Sequence, residues 1–438
     1  MAAGGGGDGL DTAEVPDWSR LPSDPLLVVM AALDPPDLVR SGAVCSSWRA
    51  AYDAVRRLRI PTAESGPCLF YPRAADDPDT ATVYSPCSGA SFRVRLPDPP
   101  LRRRSLHGSA HGWLVAADEV SDLHLVNPLT GAQLALPPVS TLHHTEAASD
   151  EQGDLIYHLR EFEDAVRDPA NRPKPVKHAA SDLRHYMYFK VVLSCSPCAR
   201  SDCIILLLHM PDCQLSFALL GDKSWTRIGG DEDYNGDDEL WDYGYRDAVY
   251  RNEDSLFYVL GYHGDIITLD LNGPSPVVKK ILKDLPSDEF TMKYLVMAPW
   301  GDFLQVWRLT ESQSSATPVQ FPEGNDPDLR NPYHETHAIQ LYKVDIDNQE
   351  LMRITSLGDY ALFLGLNSTM IISTKDFPLL RADCAYLAHD EYFDISRHIY
   401  GQKEICIWNF RSGTLEDVDN VQPWRNWPVP MWIRPSLD

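Results

Sequence analysis

A short all-α segment followed by a long all-β domain is the fold class this sequence predicts. Two observations predict it. Apolar residues recur at helical spacing over residues 17–60, and after Ile60 that periodicity stops. From there to the end, glycine, proline, aspartate and aromatic residues punctuate many short apolar runs. At 438 residues the chain has length for two or three domains.

The helical segment reads as three short helices. Leu21, Leu26, Val29, Met30 and Leu33 form an amphipathic stripe, and Asp24-Pro25 supplies a capping residue and a first-turn proline. Asp34-Pro35-Pro36-Asp37 breaks the chain and opens a second helix. A third is expected from Cys45 or Ser46 through Arg59, with Val44, Trp48, Ala51, Tyr52 and Val55 on one side. A unit of roughly 40 residues rarely buries enough surface to stand alone. Some of these apolar residues are therefore expected to face a partner, although Leu26, Val29, Leu33 and Trp48 would also serve as core of a helical hairpin.

Leu21-Pro22, Leu26-Leu27, Leu33, Pro36-Asp37-Leu38, Val44-Cys45 and Trp48-Arg49 stand in the order and spacing of the F-box, and the segment resembles that motif over its whole length. The resemblance implies docking on the Skp-type adaptor of SCF ubiquitin ligases, and through it on a cullin. It places Leu21, Pro22, Leu26, Pro36, Leu38, Val44, Cys45 and Trp48 at or near the adaptor contact. Val28-Val29-Met30 departs from the family's isoleucine-rich segment by a volume-conserving change.

Composition narrows the rest. Residues 1–16 are glycine-rich, with neither a basic region nor an apolar core, and are expected to be disordered and not a signal peptide. Ile204 to Leu208, the longest apolar run, is strand-sized, so no membrane span is expected and the expected compartment is cytosol or nucleus. Net charge is −24: residues 1–16 hold −3, and residues 17–60 hold six arginines and five aspartates for +1, which leaves −22 on residues 61–438. Such a surface repels phosphate backbones and argues against nucleic acid as a partner. Arg102-Arg103-Arg104 is the one compact basic run there and reads as a solvated loop. Nine cysteines, an odd number, imply reduced thiols, which makes the sequon Asn367-Ser368-Thr369 irrelevant.

In the long domain, Trp113–Val115, Tyr188–Leu193, Ile204–Leu208, Leu256–Leu260, Ile266–Leu271, Tyr294–Met297, Phe303–Trp307, Ile339–Val344 and Ile405–Phe410 have strand length and composition. A strand-then-polar-turn element recurs loosely at Asn127, Asp270, Asp345 and Asn409, at intervals of 143, 75 and 64 residues. Blades of a β-propeller, six or seven in number, suit this spacing better than a sandwich with a separate domain. Residues 141–182 and 311–336 interrupt the rhythm and are expected as insertions, the first mobile with a short helix near Asp154 to Val166. Loops of this length on a rigid scaffold often carry binding function.

Ser356–Gly365, Lys375–Pro378, Cys384–Leu387, the ending Pro428–Leu437, and the Gly112-Trp113-Leu114 and Asn127–Gly131 elements are together similar to the KIB-type β-propeller domain of plant F-box proteins. The similarity spans roughly residues 66–438.

Other chemistry is weakly encoded. Cys195-Ser196-Pro197-Cys198, near Cys203 and Cys213, supplies half a zinc knuckle without a second pair. Asp231–Asp242 matches part of a calcium-loop template but lacks the terminal glutamate and flanking helices, and reads as an acidic loop. There is no glycine-rich phosphate loop, nucleophile elbow or HExxH. The expectation is a non-catalytic substrate receptor of a ubiquitin ligase that needs no cofactor or metal and holds a target protein on its propeller. A scaffold or inhibitor that sequesters its partner is the alternative. A third reading, a small-molecule binder or enzyme, would need a convergent polar cluster in the central channel.

Overall fold

A computed structural model describes residues 17–58, 64–72, 79–160, 174–197, 202–211, 214–229, 244–284, 291–314, 332–390, 404–418 and 428–437. The chain divides into two compact units, Met1–Ser65 and Gly66–Asp438. The first holds three helices, α1 (Ser23–Ala31), α2 (Pro35–Ser41) and α3 (Ser46–Leu58). Residues 1–16, expected to be disordered, lie outside the described residues.

The second unit is built almost wholly of strands. Its first sheet joins β1 (Cys68–Pro72), β2 (Thr80–Ser85) and β3 (Ala90–Arg95). A second sheet runs β4 (Ser105–Ala110), β5 (Trp113–Ala117), β6 (Leu123–Val126) and β7 (Gln133–Ala135). Then come β8 (Thr145–Ser149), β9 (Leu155–Leu159), β10 (Val176–Ala179) and helix α4 (Ala180–Met187). A third four-stranded sheet comprises β11 (Tyr188–Leu193), β12 (Ile204–His209), β13 (Gln214–Leu219) and β14 (Thr226–Arg227). A fourth comprises β15 (Tyr245–Arg251), β16 (Leu256–Gly261), β17 (Ile266–Asp270) and β18 (Val277–Leu282). A fifth comprises β19 (Thr291–Met297), β20 (Phe303–Ser314), β21 (Pro332–Asp345) and β22 (Glu350–Ile354). The sixth contains β23 (Tyr360–Leu364), β24 (Met370–Ser373), β25 (Cys384–Ala388), β26 (Ile405–Asn409) and β27 (Thr414–Asp417), in the order β24-β23-β25-β26-β27. Finally β28 (Met431–Ile433) returns to pair antiparallel with β1, Cys68 opposite Ile433, and completes the first sheet.

Packing shows why these sheets form a ring. Six apolar seams each join one sheet to the next. Phe70 and Met431 of the first sheet meet Leu106 and Leu114 of the second. Val115 and Leu125 meet Val191 and Leu207. Leu206 and Leu208 meet Phe257 and Ile267. Tyr258 and Leu260 meet Leu295 and Val344. Val296 and Val306 meet Leu362 and Leu364. The last seam joins Phe363 and Tyr386 of the sixth sheet to Leu69 and Trp432 of the first, and so closes the circle. An inner strand that serves two seams must be apolar on both faces, which explains the uninterrupted buried runs of β5 and β12. Among the described residues this is a six-bladed β-propeller, closed by a blade shared between the two ends of the domain.

The four recurring polar turns are the outer hairpins of their blades. Asn127 Oδ1 accepts from the amides of Leu129 and Thr130, and Asn409 Oδ1 accepts from those of Arg411 and Ser412. Asp270 and Asp345 accept from Asn272 and Asn348 in the same way. Gly112 turns β4 into β5 at φ +83°, and a Cβ there would stand 2.8 Å from the Ser436 amide nitrogen.

The helix expected near Asp154 to Val166 is corrected, since Leu155–Leu159 is a strand, and 161–173 lie outside the described residues. Within 141–182, expected as a mobile insertion, β8, β9 and β10 form a three-stranded antiparallel sheet, and α4 starts at Ala180. The strands β8 and β10 are mostly exposed and polar, while Ile156, Tyr157 and Leu159 of β9 are buried. Flanking strands with little buried surface carry weak apolar alternation. Tyr157 and Leu159 join the seam between the second and third blades, so this sheet is an addition to the ring. Residues 311–336, also expected as an insertion, start and end inside paired strands, Ser314 opposite Pro332, and 315–331 lie outside the described residues.

Candidate functional site

The helical unit is held by a few specific contacts. Asp34 caps α2, its Oδ1 accepting from the Asp37 amide at 2.9 Å, and Pro35 and Pro36 occupy the first turn, where their missing N–H groups cost nothing. Burial holds the Asp34 carboxyl above its ordinary value, against the opposing pull of the Asp37 N–H. At α1 the sequence-based cap is displaced: the helix begins at Ser23 behind Pro22, and Asp24 lies inside its first turn. Both α1 and α2 pack against α3. A Cβ on Gly42 would come within 2.9 Å of the Tyr52 ring, so the end of α2 abuts α3 without room for a side chain. The Trp48 indole Nε1 donates to the Trp18 carbonyl at 3.1 Å and ties the turn at 18–20 to α3.

Leu26, Met30, Leu38, Ala51, Tyr52 and Val55 are buried. Of the eight residues the F-box resemblance singles out, Leu26, Pro36 and Leu38 are buried, Leu21, Cys45 and Trp48 are half-buried, and Pro22 and Val44 are exposed. Val28 is 72% exposed, Val44 63%, Trp18 61% and Val29 40%. Val29, expected on the buried stripe, is therefore outside it. After Asp24, α1 reads Pro-Leu-Leu-Val-Val-Met-Ala, with no polar face. A helix apolar all round is normally buried, and here one side of it meets water. Sequence periodicity missed Val28 because it measures one stripe, and α1 has two.

A second concentration of polar groups lies where the leading strands of the blades converge. Lys190 Nζ meets Asp247 Oδ1 at 2.5 Å with both side chains buried. Arg308 donates to Asp390 and Glu404, and Tyr294 donates its hydroxyl to Asp390 Oδ2 at 2.7 Å. Thr336 donates to Glu404 through its amide at 2.9 Å and its hydroxyl at 2.8 Å. Burial opposes the Arg308 charge, but Glu404, Tyr294 and Asp390 outweigh it and keep the guanidinium ionised. Burial pushes the Asp390 carboxyl upward against the pull of Arg308. The two shifts pull apart within one ion pair; the short charge-assisted contacts decide for an ionised pair. These partners are 82 and 96 residues apart, and the sole local signal was a cation inside an apolar strand, as in Phe-Leu-Gln-Val-Trp-Arg-Leu.

The described cysteines are free thiols. Cys203 Sγ points to the Cys195 carbonyl at 3.3 Å, and burial pushes its thiol up to about 12. Cys198, Cys213 and the calcium-like stretch Asp231–Asp242 lie outside the described residues. Among the described residues no group of three His, Cys, Asp or Glu side chains is placed to hold a metal ion. No described helix is long and apolar enough to cross a membrane.

A three-helix unit with exposed apolar residues, on a chain that continues into a six-bladed propeller, is the arrangement of an F-box protein with a propeller domain. Residues 18–57 match the F-box-like family, and residues 83–409 match the KIB1-4 beta-propeller family, so the chain belongs to the KIB1-4 β-propeller family. It is similar to the F-box protein SKIP23 of Arabidopsis thaliana, 23% identical over 429 residues that cover 95% of each chain. It is likewise similar to the F-box protein KIB4 of Arabidopsis thaliana, 22% identical over 89% of this chain and 87% of that one. Among solved structures, the β-propeller domain of Cps50 (Swd1) aligns at a TM-score of 0.29 with 13% identity, over 67% of this chain and 86% of that one.

Proposed function

We propose that this protein is the substrate-recognition subunit of an SCF-type ubiquitin ligase, acting in the cytosol or nucleus. The observation that carries the reading is the exposed apolar face of the helical unit, Pro22, Val28, Val29 and Val44, within the F-box-like segment. Docking of a Skp-type adaptor would remove this face from water, at about 25 cal/mol for each Å2 of apolar surface covered. Leu26, Pro36 and Leu38 would act from beneath, by fixing the helices that present it. Leu21, Cys45 and Trp48 would form its margin. The propeller would hold a target protein, and the subunit itself would break no bond. Its contribution is effective concentration, since tethering brings a target lysine near the conjugating enzyme carried by the cullin.

A reconstituted ligase tests the reading. The full chain should co-purify with a Skp-type adaptor and cullin, and a chain lacking residues 17–60 should not. Proteins captured by the propeller should then gain ubiquitin in a complex that contains the full chain. Capture without ubiquitin transfer would favour the non-degradative scaffold or inhibitor. Failure of the full chain to recruit the adaptor would end both readings.

A further inference from the structure

Three consecutive blades break register in their leading strands, and each break falls at the same cavity. In β4, Leu106 pairs with Ala116 and Gly108 with Val115, which leaves His107 outside the pairing. In β11, Tyr188 pairs with His209 and Lys190 with Leu208, which leaves Phe189. In β15, Tyr245 pairs with Gly261 and Asp247 with Leu260, which leaves Arg246. His107, Phe189 and Arg246 all line one cavity. A bulge re-aims one side chain at a local cost in strand pairing. Three of them turned on one space mark that space as built.

The charged groups on its wall are already matched. Lys190 is paired with Asp247 at 2.5 Å, and Asp390 is engaged by Arg308 and Tyr294. Arg246 lies 4.5 Å from the Tyr262 ring centre and Lys293 lies 5.1 Å from that of Trp307, and both have further partners within the protein. Burial pulls the His185 ring down to about 4, so it is neutral at pH 7. The wall therefore spares no charge, and an ionic occupant would lose its water without gaining a counter-ion. Between these groups stand Leu106, Phe189, Met292 and Leu366, which give the space apolar sides.

His107 supplies an unmet polar group. It is 5% exposed, and its Nε2 has no hydrogen-bond partner among the described residues. The ring bonds the Tyr188 backbone through its other nitrogen, in the sense that favours a proton there, and burial keeps the ring neutral. Nε2 is therefore an acceptor that lacks its donor, an uncommon state for a buried polar atom. A hydroxyl is the smallest neutral group that could supply that donor and still carry an apolar frame. Size narrows the frame. The cavity volume is about 40 Å3, room for about three waters at roughly 10–15 Å3 each and far below the roughly 150 Å3 that admits a benzene ring.

We propose that this axial cavity binds a small neutral aliphatic alcohol. Its hydroxyl donates to His107 Nε2, and its carbon frame lies against Leu106, Met292 and Leu366. The site belongs wholly to the propeller and stands independently of adaptor docking.

Nitrogen NMR of the full chain with isotope-labelled histidine rings reads the contact directly, because the resonance of a bare ring nitrogen moves when it accepts a hydrogen bond. The probe is 2-propanol, and acetone, of nearly the same shape but without an O–H, is its control. Titration with 2-propanol should shift one such resonance saturably, and acetone should bind at least tenfold more weakly. The shifted resonance should be the one missing from His107→Phe. Affinity for 2-propanol should fall at least tenfold in Met292→Trp, which fills the cavity from a half-buried position and leaves His107 in place. Val277→Ala, at a position 61% exposed, should change nothing. Where circular dichroism shows either cavity variant unfolded, the contrast between 2-propanol and acetone on the native chain decides alone. No saturable shift, acetone binding equally well, or full affinity in a folded Met292→Trp would overturn the proposal.

Discussion

Arg308 donates through Nη1 to Asp390 Oδ1 at 2.5 Å, and so joins the fifth blade to the segment that follows β25 in the sixth. The same guanidinium reaches Glu404, just before β26. Both carboxylates and the arginine are buried, so neither partner has water to fall back on. Arg308→Met should destabilise the propeller by about 3–5 kcal/mol, because it leaves two carboxylates unpaired. The pair Arg381–Glu416 has the same 2.5 Å separation, but its side chains are 45% and 49% exposed, so solvent screens it. Arg381→Ala should cost less than about 1 kcal/mol. Denaturant titration of both variants checks the contrast, and equal costs would contradict it.

Acid should weaken the fold through its buried histidines. His209 Nδ1 donates to the Met210 carbonyl at 2.8 Å, and Nε2 accepts from Ser216 Oγ at 2.9 Å. Burial pulls its ring down to a pKa of about 4, and that of His107 to about 3. In the unfolded chain each would titrate near 6.5. The unfolded state therefore binds more protons below pH 6.5, so stability is full above that pH and falls as pH drops towards 4. Each histidine contributes at most about 1.4 kcal/mol per pH unit. Between pH 7 and 5, His209→Gln should remove about 2 kcal/mol of the pH-dependent loss. Unfolding free energies at the two pH values measure it, and an unchanged pH dependence would contradict the assignment.

Closure of the ring should depend on Trp432. The indole is fully buried in β28 and stands edge-on to Phe363 at 5.0 Å and to Tyr386 at 5.9 Å. Trp432→Ala should cost about 3–5 kcal/mol and lower Tm markedly. Trp300, 45% exposed, is the control, and its loss should change stability by less than about 0.5 kcal/mol. Thermal unfolding of both variants is the check.

The inner blade strands were legible because they are apolar on both faces and lead into turns with their own chemistry. Tyr188–Leu193 is a strand with those same bounds, and Asn127 and Asn409 mark outer hairpins. The strands Thr145–Ser149 and Val176–Ala179 were not legible, because they bury too little to alternate. The pairing of Ala361 with Cys384 is parallel and crosses over β24, a relation local patterns do not carry. On the helical unit, the F-box resemblance singled out eight residues, of which Pro22 and Val44 are exposed and Leu26, Pro36 and Leu38 buried, while spacing placed Val29 on the buried stripe and passed over Val28. In the propeller, a skipped register at His107, Phe189 or Arg246 alters no composition, so the axial cavity left no trace in the sequence.

In the proposed complex the helical unit presents its exposed apolar residues to an adaptor. Leu38→Ala would test it poorly, because Leu38 is buried and its loss would disturb the helices themselves. Val28 and Val44 are the sharper probes, since both side chains already meet water. The most direct measurement is the Kd of the purified chain for a Skp-type adaptor, native against a Val28→Asp, Val44→Asp double variant. The native chain should bind saturably and the variant should lose at least a hundredfold in affinity, about 2.7 kcal/mol, with helical content and Tm unchanged. Undiminished affinity in the variant, or no binding by the native chain, would contradict the proposed docking.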